Sequence, residues 1–291
     1  MPGNVRTAKK LLLGRELAHM IEEAGLSQAD AADMLETSKA RMTGLISGAG
    51  NISPGDLLLL ASKLGFDDEG YQEALRDLRR DNHKRGFWTT GHNRAYSEDL
   101  RLLIDLEKHA EQIRTAEVEV VPGLLQCESY VRAIHSDQSA SDVVSVEDRV
   151  QARLARQTIF DAPEATQAHF VLSESCLRRE WADAETMREQ MHYLVSMSDR
   201  RNIMLQVLPF NAPPGRQSPI SNRFVLLSVP SPGVAGPLEL AYTEGEGEIR
   251  YLDDKKALKA HDAAWARLTS AALNFADSRK FVKQVAAEFN G

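Results

Sequence analysis

Residues 25–48 carry the pattern that most constrains the fold: two short amphipathic helices joined by a tight turn. Ser27 is a good N-cap for the first helix, and Ser38 can cap a second one that runs for about two turns. Helices this short are marginal in water, so they need neighbours to bury their apolar faces. We expect helices over about 8–23 and 53–64 to supply these neighbours and to complete a small helical bundle.

The second short helix is rich in small and polar residues, which is what docking in the major groove of DNA requires. The predicted DNA-binding residues are Gln28, Ser38, Lys39, Arg41, Met42 and Thr43, with Arg15 on the preceding helix. The alternative is that these are ordinary exposed polar side chains. Among them, we expect Thr43 to be the residue most prone to burial.

The charge of the N-terminal part is nearly balanced, although many nucleic-acid-binding domains are strongly basic. Residues 1–90 contain 12 Lys and Arg against 13 Asp and Glu, within a whole-chain net charge of −7. Because phosphate neutralisation supplies much of the affinity for DNA, one copy of this domain is expected to bind modestly. The sequence therefore predicts a homodimer on double-stranded DNA.

The remaining chain predicts a multidomain protein, in which an all-α five-helix domain is followed by a mixed α/β domain with about five short strands. The proposed limits are 1–80 for the helical domain, 81–97 for a linker rich in charge and glycine, and 98–291 for the α/β domain. Strands are expected at 118–121, 169–172, 203–208, 224–229 and 238–243, and terminal helices at about 255–275 and 278–289.

The first 65 residues or so resemble the Cro/repressor-type (Xre) helix-turn-helix family. The matching segments are GLSQ at 25–28, SKARMT at 38–43, Gly48, and ISP at 52–54. The C-terminal part is similar to a domain of unknown function found in actinobacterial WhiJ-like regulators. Its matching segments are VPGLLQ at 121–126, Arg153, RQ at 156–157, Glu174, LR at 177–178, NI at 202–203, QVLPF at 206–210, and Tyr242 with Glu244.

Together these resemblances imply a transcriptional regulator that acts as a homodimer, often with a small acidic partner protein encoded nearby. The C-terminal domain would then mediate dimerisation and the response to that partner or to a ligand. One competing hypothesis is an antitoxin-like protein that sequesters a small partner. Another is an enzyme or peptide-binding protein that keeps the helix-turn-helix as a docking module.

Arg149, Arg153 and Arg156 follow one another at spacings of four and three in a predicted helix. Arginines grouped on one helix face suit bidentate recognition of phosphate or carboxylate groups. With Glu174 they form the candidate ligand or partner site. The alternative is an exposed face, or salt bridges to acids such as Glu174.

Catalysis has no positive support in the sequence, and we expect no enzyme activity. The chain has neither a P-loop nor a dinucleotide-binding fingerprint, and no histidine lies at metal-ligand spacing. We therefore expect no cofactor and no metal. Cys127 and Cys176 are far apart and predict free thiols in a cytoplasmic protein, and no apolar run is long enough for a membrane span.

Overall fold

The computed structural model describes residues 6–80, 92–136, 144–161, 165–212, 222–245 and 247–289. By packing, the chain divides into two compact units, and the first is discontinuous in sequence. Unit 1 comprises Met1–Thr90, Glu98–His109 and Val229–Leu238. Unit 2 comprises Gly91–Ser97, Ala110–Ser228 and Glu239–Gly291. The domain limits proposed above stay predictions, and residues 81–91 of the proposed linker lie outside the described residues.

Unit 1 is helical, and its first five helices confirm the predicted helix-turn-helix region. They are α1 (Ala8–Glu23), α2 (Gln28–Met34), α3 (Lys39–Ile46), α4 (Pro54–Lys63) and α5 (Glu69–Arg80), and unit 1 also contains α6 (Glu98–His109). The side chains of Thr7, Ser27, Ser38 and Ser53 cap the first four. Each cap accepts a backbone N–H that the first helical turn would otherwise leave without a partner.

Close approach between α1 and α3 fixes the position of the second short helix. A β-carbon placed on Gly14 of α1 would overlap the carbonyl oxygen of Ile46 at the end of α3. The shared core includes Leu17 and Met20 of α1 and Met42 of α3, all almost fully buried. The missing side chain at residue 14 therefore lets the backbone of α1 pack directly against the backbone at the end of α3.

The segment 229–238, which follows a strand far along the chain, joins unit 1 through one buried carboxylate. Glu16 of α1 is fully buried. It accepts hydrogen bonds from the Ser231 hydroxyl (2.7 Å), the amides of Val234 (3.0 Å) and Ala235 (3.2 Å), and the Tyr71 hydroxyl (2.9 Å). We call this arrangement the Glu16 latch. A buried carboxylate needs such donors, because its desolvation would otherwise be costly.

Unit 2 is built on a six-stranded mixed sheet with the order β3-β2-β1-β4-β5-β6. The strands are β1 (Gln112–Glu117), β2 (Gln167–Ser173), β3 (Ile203–Leu208), β4 (Phe224–Val229), β5 (Leu238–Gly245) and β6 (Glu248–Leu252). Strands β1, β2 and β3 are parallel neighbours, whereas β1 with β4 and β5 with β6 pair antiparallel. The mixed α/β fold class is thus confirmed.

Two strand predictions are wrong in detail. The strand predicted at 118–121 lies earlier, as β1, and residues 118–120 form a bend. Its interior was missed because buried polar residues, Thr115 and Glu117, interrupt the apolar pattern. The sixth strand, β6, was missed because it lies at the sheet edge and is largely exposed.

The helices of unit 2 are α7 (Glu128–Ile134), α8 (Val146–Gln157), α9 (Glu174–Arg178), α10 (Ala184–Met197), α11 (Lys255–Ala271) and α12 (Phe275–Glu288). Short 3₁₀ turns cover His92–Ala95, Gly123–Leu125 and Thr158–Phe160. Helix α11 packs Trp265 and Leu268 against apolar side chains of the sheet. Within the described ranges, none of the helices combines the length and the apolar character that a bilayer crossing demands.

Candidate nucleic-acid interface and arginine cluster

Local hydrogen bonds hold α2 and α3 in a fixed relation. Ser27 and Asp30 form a reciprocal capping box at the start of α2, and Ser38 accepts from the Arg41 amide at 3.2 Å at the start of α3. The Thr43 hydroxyl then donates to Oε1 of Gln28 at 2.9 Å. This bond ties the first turn of α2 to the middle of α3 on the exposed side of the pair.

The exposed side of α3 carries most of the predicted DNA-binding residues. Ser38, Lys39, Arg41 and Thr43 are exposed, and Gln28 is half-buried. Two predictions about this helix are wrong. Met42 is fully buried in the core of unit 1 and therefore does not line a groove-facing surface, whereas Thr43, expected to be buried, is exposed.

The correction at Met42 follows from helical periodicity. Met42 and Leu45, three residues apart, face the core together, and Lys39 and Thr43, four apart, face solvent. The segment resembling the recognition helix was identified, and Ser38, Lys39 and Arg41 are exposed as predicted, whereas Met42 and Thr43 were each assigned to the wrong side.

Arg15 lies elsewhere in unit 1 from the face that α3 exposes. Its guanidinium donates to the carbonyl oxygen of Ala235 at 3.1 Å, next to the Glu16 latch. A DNA contact by Arg15 stays a prediction, and the structure assigns its guanidinium a bond within unit 1.

One neighbour of the recognition helix was missed in the sequence. Asp56, in the first turn of α4, lies 3.8 Å from the guanidinium of Arg41, and both side chains are exposed. The Ser53-Pro54 helix start could have indicated it, because it places Asp56 in the first turn of α4. A weak, exposed ion pair of this kind can be exchanged for a phosphate contact at small cost.

In unit 2, three buried glutamines brace the loop at 121–127. Gln157 donates to the carbonyl of Gln126 at 2.7 Å, and Gln190 donates to the carbonyl of Leu125 at 2.7 Å. The side chain of Gln126 turns back and donates within the loop itself. The backbone of this braced loop is therefore satisfied by side chains, as irregular buried backbone must be.

The three arginines of α8 converge beside the braced loop. A β-carbon on Gly123 would overlap Nη1 of Arg153 and lie 3.0 Å from Nη1 of Arg156, so these two guanidiniums are side by side. Burial, reinforced by the charges of Arg153 and Arg149, lowers the pKa of His135 to about 4. Arg149, Arg153 and Arg156 thus form one arginine cluster.

The fourth residue of the predicted ligand site, Glu174, belongs to a different cluster. Its carboxylate accepts from the Arg178 guanidinium and, at 2.8 Å, from the amide of Phe210. Two of the matching segments, Glu174 with LR at 177–178 and QVLPF at 206–210, therefore meet here. Glu174 therefore holds the chain at the end of β3. Its predicted grouping with Arg149, Arg153 and Arg156 is wrong, because the cation that it contacts is Arg178.

A partly buried ionic network, in which Glu117 is the buried member, lies in the sheet of unit 2. Arg223 lies 3.4 Å from Glu117 and 2.8 Å from Glu244, which also accepts from the Tyr242 hydroxyl at 2.7 Å. Burial raises the pKa of Glu117 to about 7, opposed by the positive charges of Arg223 and Arg156.

Both thiols of unit 2 lie in buried surroundings, which disfavour the thiolate. Cys127 and Cys176 are buried and form no disulfide, and burial raises the pKa of both thiols. Within the described ranges, no three His, Cys, Asp or Glu side chains are grouped as metal ligands.

Two family models match the chain, one in its N-terminal part and one in its C-terminal part. Residues 12–81 match a helix-turn-helix domain, which defines the N-terminal region as the type of module that regulators use to bind DNA. Residues 100–284 match the family described as domain of unknown function DUF5753, and the chain belongs to this family. No curated protein and no solved structure gave a match.

Proposed function

We propose that this protein is a sequence-specific transcription regulator that binds double-stranded DNA as a homodimer through α3. The observation that carries the proposal is the exposed face of α3, where Lys39, Arg41 and Thr43 stand over a core made by Met42 and Leu45. A short helix whose buried face is held by the core, and whose exposed face carries cationic and hydroxyl side chains, fits the major groove of DNA.

The homodimer is part of the proposal because one copy carries little positive charge. With 12 basic and 13 acidic residues in 1–90, electrostatic attraction per copy is weak. Two recognition helices on two half-sites would supply the missing affinity. We assign dimerisation and the response to a ligand or small partner protein to unit 2, which the DUF5753 match covers in large part.

The proposal is for a binding protein and not for an enzyme. The buried thiol of Cys176 and the carboxylate of Glu174, held by Arg178 and Phe210, are both in structural settings. A close relation to actinobacterial WhiJ-like regulators, and an antitoxin-like partner encoded nearby, are finer parts of the same proposal. They rest on the motif residues that brace the loop at 121–127 and the end of β3.

The test uses the full chain and a pool of random DNA duplexes. Selection followed by sequencing should enrich a site with two related halves, and titration should give two chains per duplex. Arg41→Ala should weaken binding to the enriched site by about 1–3 kcal/mol. The matched control is Arg250→Ala, which removes an exposed arginine of β6 in unit 2.

The pattern of losses assigns the role of Arg41. If Arg41 contacts a base, Arg41→Ala should relax the sequence preference at one position of the site. If Arg41 contacts a phosphate, Arg41→Ala should weaken binding to all sequences and reduce the slope of log affinity against log salt concentration by about one. Failure to enrich any sequence, or equal losses for Arg41→Ala and Arg250→Ala, would overturn the proposal.

A further inference from the structure

The two outermost strands of the unit 2 sheet differ in how their outer edges are covered. At one end of the sheet, the amide of Val207 in β3 donates to the Ser278 hydroxyl at 2.9 Å, and the Val207 carbonyl accepts from the amide of Leu273 at 2.9 Å. At the other end lies β6, whose five residues are all exposed or half-buried. Within the described residues, no strand pairs with β6 on its outer side. An uncovered edge of this kind is a template for a further strand.

The backbone of Ile249, in the middle of the charged part of β6, points toward this outer side. Gly245 and Glu248 are opposite partners with two residues between them, so they form the hydrogen-bonded pair that closes the hairpin. Hydrogen-bonded and non-hydrogen-bonded pairs alternate along an antiparallel ladder, so the next pair, Glu244 and Ile249, is not hydrogen-bonded. The amide and the carbonyl of Ile249 therefore face away from β5.

The charged side chains of β6 are arranged so that the strand complements a second copy of itself. Glu248 and Arg250 are two residues apart, so they lie on the same face of the sheet, and their side chains are 67% and 61% exposed. They flank Ile249 symmetrically. If two β6 strands pair antiparallel with Ile249 opposite Ile249, each Glu248 stands opposite Arg250 of the other copy, with about 4.5–5.5 Å between their β-carbons.

We propose that two copies of this chain associate along their β6 strands, antiparallel and centred on Ile249, so that the two sheets continue into each other. The two Ile249 residues then exchange both of their backbone hydrogen bonds. The twofold axis runs through this residue pair, as a symmetric interface between identical chains requires. The inference rests on the proposed function, since it names the surface through which the proposed homodimer forms.

Charge selects this register among the antiparallel alternatives. Moving the axis by one residue, to Arg250, would place two guanidiniums opposite each other, and moving it to Glu248 would oppose two carboxylates. Like charges directly opposite destabilise a strand pair, whereas opposite charges stabilise it. The outer edge of β6 therefore favours one pairing of identical chains over its neighbours.

The small size of the interface sets the strength expected of it. Five residues from each copy are well below the roughly 20–30 per side of a stable interface, and small interfaces are typical of transient complexes. We therefore expect a monomer–dimer equilibrium that depends on protein concentration. Binding of both copies to one duplex would shift this equilibrium toward the dimer.

Sedimentation equilibrium of the full chain without DNA, over a range of concentrations, tests the charge pattern. Glu248→Arg and Arg250→Glu each replace two opposite-charge pairs by two like-charge pairs, so each should weaken self-association at least about tenfold. Combining the two substitutions exchanges the charges and should restore self-association. The matched control is Arg267→Glu, the same change at an exposed position of α11, which should leave the equilibrium unchanged.

Mixing the two single variants separates contacts between copies from effects within one chain. The Glu248→Arg variant has two cations at this edge and the Arg250→Glu variant has two anions, so each pairs poorly with itself but well with the other. The mixture should therefore form a one-to-one heterodimer that is tighter than either homodimer. Arg250→Ala removes an attraction without opposing like charges, so it should change self-association much less than Arg250→Glu.

Hydrogen exchange tests the backbone pairing. The amide of Ile249 should exchange more slowly at high than at low protein concentration, and this difference should vanish in Arg250→Glu. Thermal unfolding of each variant checks that the fold is kept, as expected for substitutions of exposed side chains.

The inference is overturned if the chain stays monomeric at all concentrations, if the mixed variants do not associate, or if the Ile249 amide exchanges at the same rate at every concentration. The duplex selection tests the regulator proposal separately. Two chains per duplex without any of the β6 effects would retain the regulator and reject this surface. Pairing through β6 without any enriched duplex would do the reverse.

Discussion

Replacing Gly233 with alanine tests whether the Glu16 latch holds segment 229–238 in unit 1. A β-carbon at Gly233 would overlap the carboxyl carbon of Glu16 and lie 2.5 Å from Oε2, well inside normal contact. The backbone at Gly233 is not left-handed, so the effect is steric and not conformational. The alanine must therefore displace the carboxylate.

The expected cost follows from the hydrogen bonds that the displaced carboxylate gives up. Three of them come from the Ser231 hydroxyl and the amides of Val234 and Ala235, within two residues of the new methyl group. Hydrogen bonds to charged groups contribute about 1.5–3 kcal/mol each, and partial relaxation recovers some of this. We expect Gly233→Ala to lower the free energy of unfolding by about 2–4 kcal/mol.

The assay is urea unfolding of the full chain, arranged as a double-mutant cycle with Glu16→Ala. In the Glu16→Ala background the obstructed group is absent, so Gly233→Ala should cost less than about 1 kcal/mol. The matched control is Gly245→Ala, because a β-carbon there meets nothing within 4 Å. Equal costs for Gly233→Ala in both backgrounds would refute the reasoning.

Three further substitutions probe the helix packing, the sheet and the braced loop. Gly14→Ala should push the Ile46 carbonyl, and α3 with it, away from α1, lower stability by about 1–3 kcal/mol and weaken DNA binding, as unfolding and duplex titration would show. Because Glu117 has its pKa raised from 4.5 to about 7, the folded state holds that proton more tightly than the unfolded chain, and stability falls as pH rises through this window. Glu117→Gln should remove that loss, which is up to about 3 kcal/mol between pH 4.5 and 8; unfolding at both pH values measures it. Gln190→Leu should expose the amide of Cys127, which now donates to it at 2.8 Å, and faster hydrogen exchange at that amide is the check.

The helix-turn-helix could be predicted from the sequence because its signals are local. Serine caps at 27, 38 and 53 and the three-to-four spacing of apolar residues are each complete within one turn or two. The apolar runs that became β3 and β4 were placed at their observed limits for the same reason. Strand β1 was misplaced because it buries Thr115 and Glu117, and the cation beside Glu117, Arg223, lies far along the chain.

The candidate sites depended on contacts that no local pattern carries. The helical spacing of Arg149, Arg153 and Arg156 predicts that they lie together, but their convergence on Gly123 comes from the packing of α8 against the braced loop. Glu174 was grouped with them on charge alone, although its nearest cation is four residues away on its own helix. Buried polar pairings of this kind are set by tertiary structure.

The Glu16 latch has a consequence for how this chain folds during synthesis. Three of its hydrogen bonds come from residues 215 to 219 positions after Glu16. At translation rates of about 5–20 residues per second, these donors follow α1 out of the ribosome after roughly 10–45 s. Until then the carboxylate of α1 has to remain hydrated. The DNA-binding unit, though encoded first, is therefore completed only after most of the sheet has been made.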